Sequence, residues 1–254
     1  LEARKEELQE FAKHEVYVQV PMQECWDKTG KQPIKTKWID INKGDRIHQE
    51  YRSRLVAKDF NTDKRPDLFA ATPPLEALKM LLSLCMTEGY GWKKDHSEMM
   101  KLDFIDARRA YFHAVVTRDV YVELPPEDYE EGMCGKLLKS MYRTRDAAQN
   151  WEHAYTEFME KAGFKRGIAS PCVFWNEEKN IRAVIHGDDF TMLGWEKDLD
   201  WFRKQIVKTF EVKMRGRMGR DAGDDKHMRI LNRIVTWTNE GIEYEPDQRH
   251  AEII

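Results

Sequence analysis

Cysteine is scarce and scattered: Cys25, Cys85, Cys134 and Cys172 are the only four, and no two form a CxxC pair. That spacing argues against a zinc site and against a disulfide framework, and it suits a reducing interior. Long apolar runs are missing too. Nothing approaches the run of about 20 apolar residues that a membrane-spanning helix needs, and the opening LEARKEELQE has no apolar signal-peptide core. There is no initiator Met, so the chain is read as a fragment of something longer. Repeats and low-complexity tracts are also absent. Nor is there a surplus of positive charge: 42 Lys and Arg against 45 Asp and Glu leave a net charge of -3, so bulk basicity does not point to phosphate binding.

What is present fits a globular protein. Hydrophobic residues at 41% of 254 allow a substantial core in one or two domains. Basic residues gather locally in RSRLVAK (52–58), RTR (143–145) and KMRGRMGR (213–220). Residues 1–35 read as a short amphipathic helix and a polar, irregular stretch. Two strand-like runs flank NKGD (42–45), a turn signal that predicts a hairpin. Pro73 and Pro74 precede an apolar run at helical spacing, predicting a helix that stops near Gly89. KLDFIDARRAYFHA reads as a strand entering a short helix, and VYVELPP (120–126) as a strand closed by prolines. DAAQNWEHAYTEFMEKAGF is an amphipathic helix with Trp151, Tyr155, Phe158 and Met159 along one stripe, read as core packing. A hairpin with its turn at EEKN, a helix at WEKDLDWFRKQIVKTF and strands at RIVTWT and GIEYE follow. This irregular mixture predicts an α+β fold.

The most informative string is AVIHGDDFTMLG (183–194). Two adjacent carboxylates between apolar flanks are expensive to bury unless a cation or donors offset them. An exposed Asp-Asp turn is the commoner explanation of such a pair. Here EEKN already supplies a reversal, which favours a metal site near the core. Two-metal phosphoryl transfer needs acids from more than one element, and hard Mg²⁺ takes few protein carboxylates. Asp106, ending a second strand-like run, is the candidate partner; Asp103 competes with it.

The order of strings resembles copia-type LTR retrotransposon reverse transcriptases over about residues 36–254. YRSRLVAKDF (51–60) is similar to the family's YKARLVAKGF, and FAATPPLEALKMLLSL (69–84) to its TFSPV segment and helix. DARRAYFHA (106–114) resembles DVKTAFLNG, VYVELPPE (120–127) resembles VYMxQPPG, and MYRTRDAAQNW (141–151) resembles LYGLKQAPRAW. HGDDF (186–190) stands where the family has YVDDM.

The resemblance implies a right-hand polymerase fold with fingers, an antiparallel palm sheet packed on helices, and a partial thumb. Its expected divisions are a flanking segment at 1–35, fingers and palm at 36–215, and palm end, thumb or connection at 216–254. It implies RNA-directed DNA polymerisation with Asp106, Asp188 and Asp189 as catalytic, metal-holding carboxylates for two Mg²⁺ ions, Mn²⁺ being a substitute. Asp106 and Asp188 would bridge the ions and Asp189 complete the cluster. Tyr111 falls where related enzymes place an aromatic beneath the incoming sugar, although a core aromatic beside Phe112 reads equally well. Arg52, Arg54 and Lys58 fall on basic triphosphate and template contacts, against the plain reading of a solvated strand face. Arg145 replaces a Lys and would help position the nucleotide. His186 stands for a Tyr and is left out of the metal set.

Implied partners are an RNA or DNA template with its primer, dNTPs and other parts of a retrotransposon polyprotein, with no membrane and an intracellular setting, cytoplasmic or nuclear. Degradation of the RNA strand is not expected of this segment. Four departures stand out: Arg143 for Gly, Ala148 for Pro, Gly187 for Val and Asn232 for Gly. A bulky cation at a turn glycine strains a backbone that needs positive φ. Two rivals remain: an inactive remnant that at most binds nucleic acid, and a metal-dependent phosphoesterase or nuclease built on the same acids.

Overall fold

In the computed structural model, which describes residues 2–45, 47–60, 68, 70–95 and 97–246, every pairing between strands is antiparallel. The chain begins with α1 (Glu2–Lys13), β1 (Tyr17–Pro21), α2 (Met22–Thr29), β2 (Thr36–Asn42) and β3 (Tyr51–Ala57). It continues with α3 (Leu75–Cys85), β4 (Lys101–Ala107), β5 (Tyr121–Val122), β6 (Met133–Leu137) and α4 (Ala147–Lys161). Then come β7 (Lys165–Arg166), β8 (Val173–Asn176), β9 (Ile181–His186), β10 (Asp189–Gly194) and α5 (Glu196–Ile206). Last are β11 (Val212–Met218), β12 (His227–Ile230), β13 (Arg233–Trp237) and β14 (Ile242–Pro246). This is the expected α+β class. No helix among the described residues is long and apolar enough to cross a membrane.

Two units emerge. The first joins Leu1–Ala70 to Arg109–Tyr155, and the second joins Ala71–Arg108 to Thr156–Ile254. In the first, β1, β6 and β5 form one sheet, and β2 pairs with β3 as the hairpin anticipated around NKGD. Its loop is longer than a tight NKGD turn because side chains close it. Asn42 Oδ1 accepts the N–H of Gly44 and of Glu50, and Asp45 Oδ1 accepts those of Ile47 and His48. Residues 1–35 carry α1, β1 and α2 and contribute side chains to the core of this unit. Phe11 and Val16 are buried with Leu55, Phe112, Leu137 and Met141, since the apolar side of α1 packs against β3.

Helix α1 also buries Glu7, whose Oε2 lies 3.5 Å from Arg109 Nε. Burial pushes the Glu7 carboxyl above its usual range, with Arg109 pulling it back. The folded state therefore holds this proton more tightly than the unfolded chain. The charged Glu7 subtracts stability at neutral pH, and that loss is recovered as pH falls towards the unfolded value. Glu7→Gln is accordingly expected to flatten the pH dependence of stability between about pH 7 and 4.5, read from denaturant midpoints at each pH.

Arg143 has φ 64, so the residue standing for a family glycine does sit in the left-handed region. A side chain there costs roughly 1 kcal/mol, and Arg143 is exposed, with little packing to offset it. Arg143→Gly is expected to raise stability by up to about 1 kcal/mol, the chain entropy of glycine being subtracted; chemical denaturation measures it. Asn232 (φ 59) follows Leu231 (φ 47) in the two-residue turn between β12 and β13, where positive φ at both positions suits Asn better than Leu. Ala148 lies in the first turn of α4, where it is a good helix former in place of proline.

The second unit carries a six-stranded sheet in the order β11-β4-β10-β9-β8-β7 and a three-stranded sheet β12-β13-β14. Residues directly opposite on paired strands share a face, so the register sorts β4 and β10. Leu102 faces Leu193, Phe104 faces Thr191 and Asp106 faces Asp189. The apolar end of that face is buried with Leu78, Leu81 and Leu82 of α3, and the acids occupy the other end. The opposite face, with Asp103 and Ile105, meets α5, and Phe158 of α4 packs edge-on to Phe202 and Phe210. Trp151, Tyr155, Phe158 and Met159 are all buried, as a packing stripe should be.

Candidate active site

Strand β9 ends at His186, Gly187 and Asp188 form a two-residue reversal, and Asp189 begins β10 opposite His186. The Asp pair is therefore at a chain reversal itself; EEKN makes a separate one between β8 and β9. The expectation that EEKN relieved the pair of a turn role is corrected. Gly187 has φ 62, and Asp188 is not among the positive-φ residues. That is the chemistry of a hairpin turn whose first central position wants glycine. Gly187 is thus a departure from the family string that eases the turn, because a β-branched residue at this φ is strained.

The turn sets the acids. Asp106 and Asp189 are direct cross-strand partners, a relation that puts their Cβ atoms about 4.5–5.5 Å apart on one face. Asp188 is tied in by its backbone: its carbonyl accepts the Ala107 N–H at 2.8 Å. Asp189 is held above the ordinary carboxylate range chiefly by burial. Asp188 and Asp106 push the same way, and Arg215 pulls back. Asp188 and Asp106 thus act on Asp189 as like charges, a repulsion that a cation placed among them relieves. Their oxygens are the donor set that hard divalent cations take.

Asp103 is not part of this cluster. It is fully buried on the opposite face, where Arg203 grips both its carboxylate oxygens and Arg217 Nη2 donates to Oδ2 at 3.1 Å. Residues three apart on a strand point to opposite faces, so Asp103 and Asp106 do not share a face, and Asp106 is the one opposite Asp189. His186 lies on the acidic face by register, with Asp189 as its partner.

The five basic and aromatic candidates all lie in the first unit. Arg52 and Arg54 project from the same side of β3, and Lys58 follows it. The Arg54 guanidinium stands 5.0 Å over the Tyr142 ring, and Tyr111 meets that ring edge-on at 5.6 Å. Tyr111 belongs to a short 3₁₀ turn, Ala110–His113, and is half-buried, while its neighbour Phe112 is the core aromatic. Arg145 donates its backbone N–H to Asp59, whose carboxylate Arg118 bridges to Asp146 at 2.8 and 2.9 Å.

One residue at the acids escaped the sequence reading. Arg215 Nη1 donates to Asp189 Oδ1 at 3.0 Å. In the sequence it is one cation of the run KMRGRMGR; the only local hint is Gly216, since a lone glycine inside a strand marks a bulge.

A family profile described as reverse transcriptase (RNA-dependent DNA polymerase) matches residues 23–225. Among curated relatives, the Nicotiana tabacum "Retrovirus-related Pol polyprotein from transposon TNT 1-94" is 26% identical over 226 residues, covering 84% of this chain. The Saccharomyces cerevisiae "Transposon Ty1-H Gag-Pol polyprotein" is 25% identical over 215 residues, covering 79%. The chain spans 16% and 11% of these relatives' own lengths. A solved foamy viral protease-reverse transcriptase in complex with dsDNA aligns over 99% of this chain and 42% of that one, with a TM-score of 0.49 and 10% identity.

Proposed function

The chain belongs to the reverse transcriptase (RNA-dependent DNA polymerase) family, in its copia-type retrotransposon branch, and from that premise we propose that it adds deoxynucleotides to a primer on an RNA or DNA template. The observation that carries the reading is the register: Asp106 opposite Asp189, with Asp188 in the adjoining turn. In this reading the second unit corresponds to the palm and the first to the fingers. The setting is intracellular, and the chain works beside the other parts of a retrotransposon polyprotein.

Asp106, Asp188 and Asp189 would hold two Mg²⁺ ions, or Mn²⁺ in their place. When bound, these supply Lewis acidity for in-line displacement at the nucleotide α-phosphate. The protein's own part is to fix the oxygen donors before substrate arrives. Asp106 and Asp189 are set by the ladder and Asp188 by its carbonyl bond to Ala107. Burial of Asp189 keeps the local dielectric low, so charge placed there is felt strongly. Arg52, Arg54, Lys58 and Arg145 serve as cationic contacts to triphosphate and template. Tyr111, steadied against Tyr142, presents a flat ring that a 2′-hydroxyl would meet, favouring deoxynucleotides.

The test is primer extension by purified protein on oligo(dT)-primed poly(rA) with dTTP and Mg²⁺. Incorporation that Asp188→Asn abolishes supports the proposal. Folded protein that incorporates nothing would leave the inactive remnant, and nucleotide release without dNTPs would favour the nuclease.

A further inference from the structure

Strand β11 pairs with β4 through Met214↔Ile105 and then Gly216↔Phe104, so Arg215 is the extra residue of a β-bulge. Bulges re-aim side chains, and this one turns Arg215 onto the acidic face. The bulge is locked where it stands. A Cβ at Gly216 would lie 2.4 Å from Asp225 Oδ2 and 2.5 Å from Met228 Cε. Asp225 Oδ2 in turn accepts the Arg217 N–H at 2.9 Å. The Arg215 guanidinium is held from two sides, Nη1 to Asp189 Oδ1 at 3.0 Å and Nη2 to the Arg229 carbonyl at 2.6 Å. Lys213, on the same strand, is the register partner of Asp106.

A positive charge fixed on Asp189, the register partner of Asp106, must oppose any second cation there. Both partners are largely shielded, with side-chain exposures of 29% for Arg215 and 21% for Asp189, so solvent and salt screen the opposition only in part. We infer that Arg215 is a built-in counter-cation of the acidic cluster, which weakens divalent-ion binding there and sets the metal concentration at which the site fills. Without metal it pairs with the Asp189 carboxylate; with metal it competes for an oxygen of that carboxylate. The inference rests on the metal-holding reading proposed above.

The experiment is a titration of Mn²⁺ alone, without nucleic acid or nucleotide. Free ion is followed by electron paramagnetic resonance and heat by calorimetry, on wild type, Arg215→Leu, Arg215→Gln, Arg215→Lys and Lys197→Gln. The Leu and Gln variants are expected to bind Mn²⁺ about tenfold more tightly, and Arg215→Lys within a few-fold of wild type. Lys197→Gln removes the same charge from an exposed position beyond Gly194, at the far end of β10, and is expected to change nothing. Adding Asp189→Asn to Arg215→Leu should take the gain away. Thermal melts identify folded variants, and Arg215→Gln decides if the Leu variant does not fold. Wild type that binds Mn²⁺ while folded Arg215→Gln binds it no more tightly overturns the counter-cation alone. Absence of binding in every protein overturns the metal reading with it.

Discussion

Asp106→Asn is expected to lower primer extension at least about 10³-fold, a loss of roughly 4 kcal/mol of transition-state stabilisation, while the metal-free protein becomes no less stable. The two effects separate because Asp106 does opposite things to folding and to chemistry. Its charge adds to the repulsion that, together with burial, holds Asp189 above the usual carboxylate range. Asparagine keeps the shape and removes that repulsion, so the metal-free melting midpoint is expected to stay level or rise, by up to about 1 kcal/mol in stability. Steady-state dTTP incorporation and a thermal melt in chelator measure the two arms. A variant that loses activity only because it unfolds would show the reverse: a lower midpoint with lower rate. Full activity in a folded Asp106→Asn protein would remove Asp106 from the proposed machinery.

Asp103→Ala is expected to destabilise the second unit by about 3 kcal/mol without touching the acidic face. Breaking a buried ion pair by deleting one partner leaves its cations uncompensated, typically at a cost of about 3–5 kcal/mol. The lower figure applies because Arg203 retains 28% exposure and Arg217 keeps a second carboxylate, Asp200, at 2.7 Å. Asp103→Leu paired with Arg203→Met replaces the charges by apolar volume and should recover much of the loss. Urea denaturation reads both. An Asp103→Ala protein as stable as wild type would mean that the bridges to α5 and β11 contribute nothing. The outcome also bears on site assignment: two aspartates three positions apart separate into one that supports the fold and one proposed for catalysis.

That separation illustrates how far the sequence reached. Alternation along β4 already places Asp103 and Asp106 on opposite faces. Choosing between them by geometry needs the partner strand, because only register puts Asp106, and not Asp103, across from Asp189. The expected hairpin at residues 36–57, the helix after Pro74 and the packing stripe on α4 were legible because each is written in local chemistry: turn residues, proline at a helix start, apolar spacing. The amphipathic helix read in residues 1–35 is α1, while the burial of Phe11 and Val16 beside Leu55 and Met141 depends on partners distant in the chain. Gly187 looked like a defect and is an aid, since its value lies in a φ of 62.

Motif order and apolar periodicity were therefore enough to determine the family, the α+β class and which acids were candidates. Those properties depend on residues near one another along the chain, or on strings whose order survives without coordinates. What brings Asp106 to Asp189, buries Asp103 between arginines and swings Arg215 onto the acids was decided by tertiary structure alone. Each depends on how distant strands align their backbone hydrogen bonds. One extra residue in β11 changes which side chain meets which face, and Gly216, the one local hint of the bulge, does not say which strand Arg215 will meet.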